Sequence, residues 1–233
     1  MNRVDVVLFD LDDTLFATTP ASAAGLAELM EGADPATAYT RWRELEDAHY
    51  PRYLRGELDF VQQRRVRTRA FLGAELDDGQ VDRWFEGYVA ASQRHWALYD
   101  DAIPCLDALH DRRIGLITNG DPVYQSSKIA AVGLDARIEH LVASGEVGYA
   151  KPDPRIFAAA CALFEVEPDG AAYVGDRLRT DAIGAAEAGL RGVWLDRDDR
   201  ATAADRADAD AAGVAVIRAL AELPGLLGAA RAD

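Results

Sequence analysis

The segment VDVVLFDLDDTLF, residues 4–16, decides how the rest of the chain is read. Apart from Asp5, its run from Val4 to Phe9 has the length and β-branched content of a strand buried on both faces. It stops at three aspartates within four positions, Asp10, Asp12 and Asp13. In open parallel sheets the ligand crevice lies beyond the carboxyl ends of the strands, and Asp10 and Asp12 fall just past such an end. One aspartate there is an ordinary turn or helix cap. Crowded aspartates repel, so positive charge belongs among them, and a divalent cation such as Mg2+, which prefers hard oxygen ligands, is the simplest source.

The same strand-like pattern recurs downstream. Apolar runs at 114–118, 140–144, 171–175, 192–195 and, more weakly, 214–217 alternate with helical patterns at about 121–132, 154–165, 180–189 and 201–212. Strand and helix in repetition, with continuous apolar strands, predict an α/β fold whose parallel sheet is covered on both faces. Residues 17–97 break this rhythm with four helix-length segments near 20–31, 35–50, 57–72 and 78–97 and no strand pattern. So long a block exceeds a simple crossover and reads as an inserted helical domain, leaving residues 1–16 and 98–233 as the core.

A second acidic pair repeats the first. AAYVGDRLRTD runs from an apolar strand through Gly175 into Asp176 and Asp181, again at a carboxyl end. Alone, Gly-Asp after a strand is a common loop; with the first cluster it supplies further carboxylates for an octahedral site. Between the two clusters, GLITNGDP places Thr118, Asn119 and Gly120 after a strand, where hydroxyl, amide and backbone N–H groups near a helix start can cradle an anion. YAKPDPRIF then puts Lys151 before a proline-stiffened helix entry. Of 25 basic residues, 23 are arginines and only Lys128 and Lys151 are lysines, so a lysine here marks a compact point charge. Lys128, in QSSKIAAVGL, reads as a helix-surface residue.

Composition narrows the function. The 40 acidic residues give a net charge of −15, which excludes nucleic-acid binding by overall charge. An anionic substrate must instead be drawn in by a local cation. Cys105 and Cys161 lie in helical patterns as small buried residues, without disulfide or zinc spacing. The N-terminal apolar run is too short for a signal peptide, and nothing approaches a membrane span, so a cytoplasmic location without membrane contact is expected. No interface pattern shows, and the oligomeric state is left open.

DLDDT with its apolar lead-in, TNG, KPDP and GDRLRTD, in that order, together resemble the haloacid dehalogenase superfamily. The helical insertion after the first motif is similar to its C1-type cap. The resemblance implies a Rossmann-like core and assigns roles by position. Asp10 matches the nucleophile and Asp12 the general acid and base. The side chains of Asp10 and Asp176 and the backbone carbonyl of Asp12 match the Mg2+ ligands, with Asp181 a supporting carboxylate. Thr118 and Asn119 match the phosphoryl-binding pair and Lys151 the cation between nucleophile and phosphate. Thr14 matches a residue steadying the first loop, and Asp13 takes a capping or solvent role.

The resemblance implies a phosphatase acting on a small phosphorylated substrate, a nucleoside monophosphate or sugar phosphate being favoured. Dehalogenases of the family lack the metal and the second aspartate. Phosphonate hydrolysis of the Schiff-base type needs a cap lysine, and residues 17–97 contain none. A sugar phosphomutase shares the four motifs, and a non-catalytic phosphate-binding regulator would use the same scaffold. HYPRYLRGELDF and ITNG are similar to small-metabolite phosphatases, including pyrimidine nucleotidases and acylneuraminate 9-phosphatases. Residues 41–69 hold eight arginines against five acids, read as a solvated helix face from which Tyr50, Tyr53, Arg55 and Arg64 are candidates for substrate contact.

Overall fold

A computed structural model describes residues 3–30, 34–73 and 75–228; residues 1–2 and 229–233 of the expected core and residue 31 of the first expected helix lie outside the described residues. The apolar runs form six parallel strands, β1 (Val6–Phe9), β2 (Arg113–Thr118), β3 (His140–Ala143), β4 (Ala171–Gly175), β5 (Arg191–Leu195) and β6 (Ala215–Ile217). Their order is β3-β2-β1-β4-β5-β6. From β1 the chain winds outward through β2 and β3, then returns to β4 on the other side of β1. This reversal opens a crevice at the carboxyl ends of β1 and β4. Phe9 is level with Leu116 on β2 and Val174 on β4, so the three strand exits lie side by side.

The strand sequences are continuously apolar because both faces are covered. All four β1 residues are fully buried. Val6 and Leu8 share a cluster with Ala171 and Tyr173 and with Ile156, Phe157, Ala160 and Phe164. Strand alternation turns Val7 and Phe9 to the opposite face.

The chain divides into two compact units, Met1–Phe16 with Leu98–Asp233, and Ala17–Ala97. The second unit holds α1 (Thr18–Leu29), α2 (Pro35–Leu54), α3 (Phe60–Leu72) and α4 (Asp78–Gln93). Asp34 caps α2, while Asp59 with Gln62 and Asp77 with Gln80 form capping boxes that start α3 and α4. Trp42 anchors the unit, packed against Phe71, Trp84, Phe85 and Tyr88 with its indole N–H on the Tyr88 hydroxyl at 3.2 Å. Helix α2 runs past the expected end at residue 50, with Pro51 inside it. Proline φ suits a helix and only one N–H is lost, so a final turn continues to Leu54.

In the first unit the helices are α5 (Ala102–Ala108), α6 (Pro122–Ala131), α7 (Ser144–Val147), α8 (Pro154–Leu163), α9 (Gly184–Glu187), α10 (Ala203–Ala211) and α11 (Leu223–Leu227). Helix α5 is not among the helical segments expected along the chain; its Pro104 sits in the first turn, where a backbone N–H would have no helical partner. The helix expected over 180–189 begins instead with a π-helical segment, Leu178–Ile183, before α9. Within that wider segment Asp181 turns back so that its Oδ2 accepts from the Arg177 N–H at 3.0 Å.

Candidate active site

The exits of β1 and β4 carry Asp10 and Asp176, and the π-helical segment adds Asp181. Each can offer one oxygen within 4.8 Å of the others. Asp10 is buried, and its N–H extends the ladder to the Val174 carbonyl at 2.8 Å. Gly175 makes the close approach possible, because a Cβ there would stand 2.5 Å from the Asp181 side chain.

Lys151, also buried, reaches into this group. Its Nζ donates to Asp10 Oδ1 at 2.7 Å, Asp181 Oδ1 at 2.7 Å and Tyr173 Oη at 2.6 Å, which uses all three ammonium hydrogens. Burial works against its charge, but Asp10 and Asp181 outweigh that and hold its pKa above the ordinary lysine value. Tyr173 Oη donates to the Ile117 carbonyl at 3.1 Å, and burial, with Asp181 and Asp10 nearby, keeps that phenol protonated.

The carboxylates remain in negative excess. Burial pushes the Asp10 pKa up to about 7; Lys151 pulls it down, and Asp181 and Asp12 add to the rise. Asp176 is raised well above the usual carboxylate range, first by burial, then by Asp10, Asp181 and Asp13, with Arg177 opposing. Trp194 fixes its backbone by donating to the Asp176 carbonyl at 3.0 Å. Hard oxygen donors at this spacing fit Mg2+. Asp181 is already committed to Lys151 and the Arg177 N–H, which leaves Asp10 and Asp176 as the side chains that would hold the ion.

At the β2 exit the TNG turn seats two neighbours. The Asn119 side chain pairs with both backbone groups of Lys151, donating to its carbonyl at 2.9 Å and accepting its N–H at 2.7 Å. The Asn119 side chain thereby places Lys151. Thr118 is buried, and its Oγ1 accepts from the Gly120 N–H at 3.0 Å and from Gln125 Nε2 at 2.7 Å.

Lys128 corrects the sequence expectation. It is a buried residue rather than a helix-surface one, and its Nζ lies 2.5 Å from Asp12 Oδ1 and 4.9 Å from the Tyr124 ring centre. The reason is the position of α6, whose first turns abut the β1 exit loop, so that its inward face meets a carboxylate. Gln125, on the same face, donates Nε2 to Asp12 Oδ2 at 2.6 Å. No motif singles out Gln125, Tyr173 or Trp194; the scarcity of lysine was the available signal for Lys128.

The first loop is braced from behind. Asp13 has a left-handed φ of 61°, its N–H closes a turn on the Phe16 carbonyl at 2.8 Å, and Tyr99 Oη lies 3.4 Å from its Oδ1. Thr14 is buried with its hydroxyl 3.5 Å from Asp10 Oδ2, and its carbonyl accepts from Arg197 Nη2 at 2.7 Å. Asp101 holds the same guanidinium by both oxygens, at 2.9 and 3.0 Å.

Within the helical unit, the arginine-rich stretch is largely neutralised. Arg55 pairs with Glu57 at 2.7 Å, Arg65 with Asp78 and Asp82, and Arg67 with Glu46. Arg64 lies over the Phe60 and Phe85 rings, and Tyr50, Tyr53 and Phe60 form a run of ring contacts. Among the described residues no helix is long and apolar enough to cross a membrane.

Residues 4–189 match the haloacid dehalogenase-like hydrolase family. The phosphoserine phosphatase of Thermus thermophilus is 32% identical over 220 residues, covering 82% of this chain and 88% of the relative. The N-acylneuraminate-9-phosphatase of Mus musculus is 32% identical over 219 residues, covering 86% of each. Among solved structures, the magnesium-bound hydrolase YfnB of Bacillus subtilis superposes with a TM-score of 0.80 at 22% identity, over 97% of this chain and 99% of that one, a likeness of fold.

Proposed function

The chain belongs to the haloacid dehalogenase-like hydrolase family, and from that premise we propose that it is a Mg2+-dependent phosphatase of a small phosphorylated metabolite, working through an aspartyl-phosphate on Asp10. The observation that supports this most is the separate seating of two carboxylates two positions apart: Asp10 on Lys151, Asp12 on Lys128 and Gln125. Two carboxylates in different environments suit a nucleophile and a proton carrier.

In this reading an oxygen of Asp10 attacks phosphorus as the ester oxygen leaves with a proton from Asp12. Water then attacks the aspartyl-phosphate, Asp12 takes a proton back, and inorganic phosphate departs with Asp10 restored. Lys151 stays on Asp10 and offsets charge as one anion approaches another. Thr118 binds a phosphoryl oxygen, and Asn119 keeps Lys151 in place. A bound Mg2+, held by Asp10, Asp176 and the Asp12 carbonyl, would neutralise the phosphoryl charge and align it for attack. A leaving halide needs no proton, so the presence of a second carboxyl group, Asp12, at this point favours ester cleavage over dehalogenation.

The phosphoserine and N-acylneuraminate-9-phosphate named for the two relatives are both compact polar monoesters. We infer the same substrate class here, with selection by the helical unit of residues 17–97 as its cap. Purified protein is expected to hydrolyse p-nitrophenyl phosphate with Mg2+ and to stop on chelation, and a panel of nucleoside, sugar and amino-acid phosphates should give one preferred ester. Turnover no greater than the chelated control across the panel would refute the proposal.

A further inference from the structure

We propose that Gln125 and Lys128 are positioning residues that fix the general acid and the phosphate-binding hydroxyl together from one face of α6, an inference that rests on the catalytic reading above. The two are three residues apart on one helix face and both are buried. Lys128 takes Asp12 Oδ1 and Gln125 takes Oδ2, so neither oxygen can rotate away without breaking a contact of 2.5 or 2.6 Å. Asp12 is otherwise about one-third exposed, on a short loop, and would sample several rotamers.

Gln125 also orients Thr118. Its Nε2 has two hydrogens, one for Asp12 and one for Thr118 Oγ1. A threonine hydroxyl has two acceptor lone pairs and one donor hydrogen. Thr118 spends both lone pairs, on Gln125 and on the Gly120 N–H, so its own hydrogen is left to donate outward. The amide orientation is set by Asp12, which as a carboxylate only accepts. Gly120 is part of the device, since a Cβ there would meet the Gln125 side chain at 2.5 Å.

The arrangement does not serve stability first. Gln125 Oε1 is buried without a hydrogen-bond partner, a cost a methionine of similar shape would avoid. Lys128 fills an aromatic-lined site beside Phe16 and Tyr124 that could hold an apolar side chain.

The test compares p-nitrophenyl phosphate with phenyl phosphate, whose more basic leaving group depends more on protonation by Asp12. Lys128→Met is expected to lower kcat on phenyl phosphate at least tenfold more than on p-nitrophenyl phosphate, with KM changed less than threefold and the melting temperature within a few degrees of wild type. Gln125→Met is expected to show the same leaving-group bias and, through Thr118, a rise in KM on both esters. Gln125→Glu, nearly isosteric, is the second variant should the first misfold, and it sets a like charge against Asp12. Wild-type kinetics, or equal losses on both esters, in well-folded Lys128→Met and Gln125→Met would overturn the proposal. Asp10→Asn and Asp12→Asn run beside them. If Asp10→Asn retains turnover, the catalytic reading fails; if Asp10→Asn is inactive and Asp12→Asn shows the bias while the α6 variants do not, only the positioning role fails.

Discussion

Replacing Asp10 with asparagine should kill catalysis and yet stabilise the metal-free protein. The side chain is buried among Asp12, Asp176 and Asp181, and its pKa rises from 3.8 to about 7. In the unfolded chain the carboxyl keeps its ordinary value, so folding must raise it by about 3 pH units, worth about 1.4 kcal/mol each. A group raised on folding gives its full stability below the unfolded pKa and loses it as pH climbs through the folded one. Wild type therefore loses about 4 kcal/mol between pH 4 and pH 7 on account of Asp10, then no more. Asparagine copies the shape of the protonated acid, keeps an oxygen for Lys151 and carries no charge at any pH.

In chelator at pH 8, Asp10→Asn should therefore melt higher than wild type. About 4 kcal/mol is the upper limit, and at ~2–4 °C per kcal/mol for a chain of this size the gain is at most roughly 8–16 °C. At pH 5 about 3 kcal/mol of the gap should close, because wild-type Asp10 then keeps its proton in the folded state. Mg2+ should narrow the gap at pH 8 by about 3 kcal/mol at a hundredfold excess over Kd, since wild type gains that much while the variant lacks a ligand. Thermal melts from pH 5 to 8, in chelator and in Mg2+, carry the assay. Equal melting temperatures at pH 8 in chelator, or a gap that does not narrow at pH 5, would refute the reasoning.

Arg197→Gln gives up the bonds to Asp101 and the Thr14 carbonyl, so it should loosen the Asp10 loop, lowering kcat several-fold and stability by ~1–3 kcal/mol, measured by kinetics and denaturant melts. Gly115→Ala sets a Cβ 2.6 Å from the Phe164 ring and 2.9 Å from Leu8; it should cost ~1–3 kcal/mol in a urea titration and leave kcat per folded molecule unchanged. Arg64→Ala should raise KM for the preferred ester more than for p-nitrophenyl phosphate, and equal effects on both would make its place over Phe60 and Phe85 purely a packing role.

The parallel sheet was readable because burial on both faces leaves the strands nothing but apolar residues, as Val6–Phe9 and Ala171–Gly175 show. The four helices of residues 17–97 were readable from the length of the block and its lack of any strand pattern, while the capping role of Asp59, inside the expected 57–72 segment, showed only in the structure. The site was readable wherever a polar residue ends a strand, because there the local pattern changes abruptly. It was unreadable wherever a polar residue enters from a helix. Gln125 and Lys128 occupy α6 positions that look like solvent face until β1 and its loop are placed beside them. Tyr173 was hidden for the opposite reason, as an aromatic in an apolar strand whose hydroxyl finds Lys151 only in three dimensions. Pro51 lies inside the last turns of α2 and Pro104 in the first turn of α5, places where a proline costs a helix little.

The charges around the site make one scheme of these observations. Asp10, Asp12, Asp176 and Asp181 bring four negative charges, and Lys128 and Lys151 return two. Asp13 and Arg177 act on Asp176 in opposite senses and offset each other. Two negative charges remain, which one divalent cation balances and a monovalent ion does not. Without a metal, burial and their mutual repulsion raise Asp10 and Asp176 toward the protonated form. Lys128 and Gln125 hold the Asp12 carboxylate apart from that pair, the separation that the proposed division between a proton carrier and two metal ligands calls for. In a chain with 23 arginines, both lysines stand where a single compact charge fits among carboxylates at a strand exit.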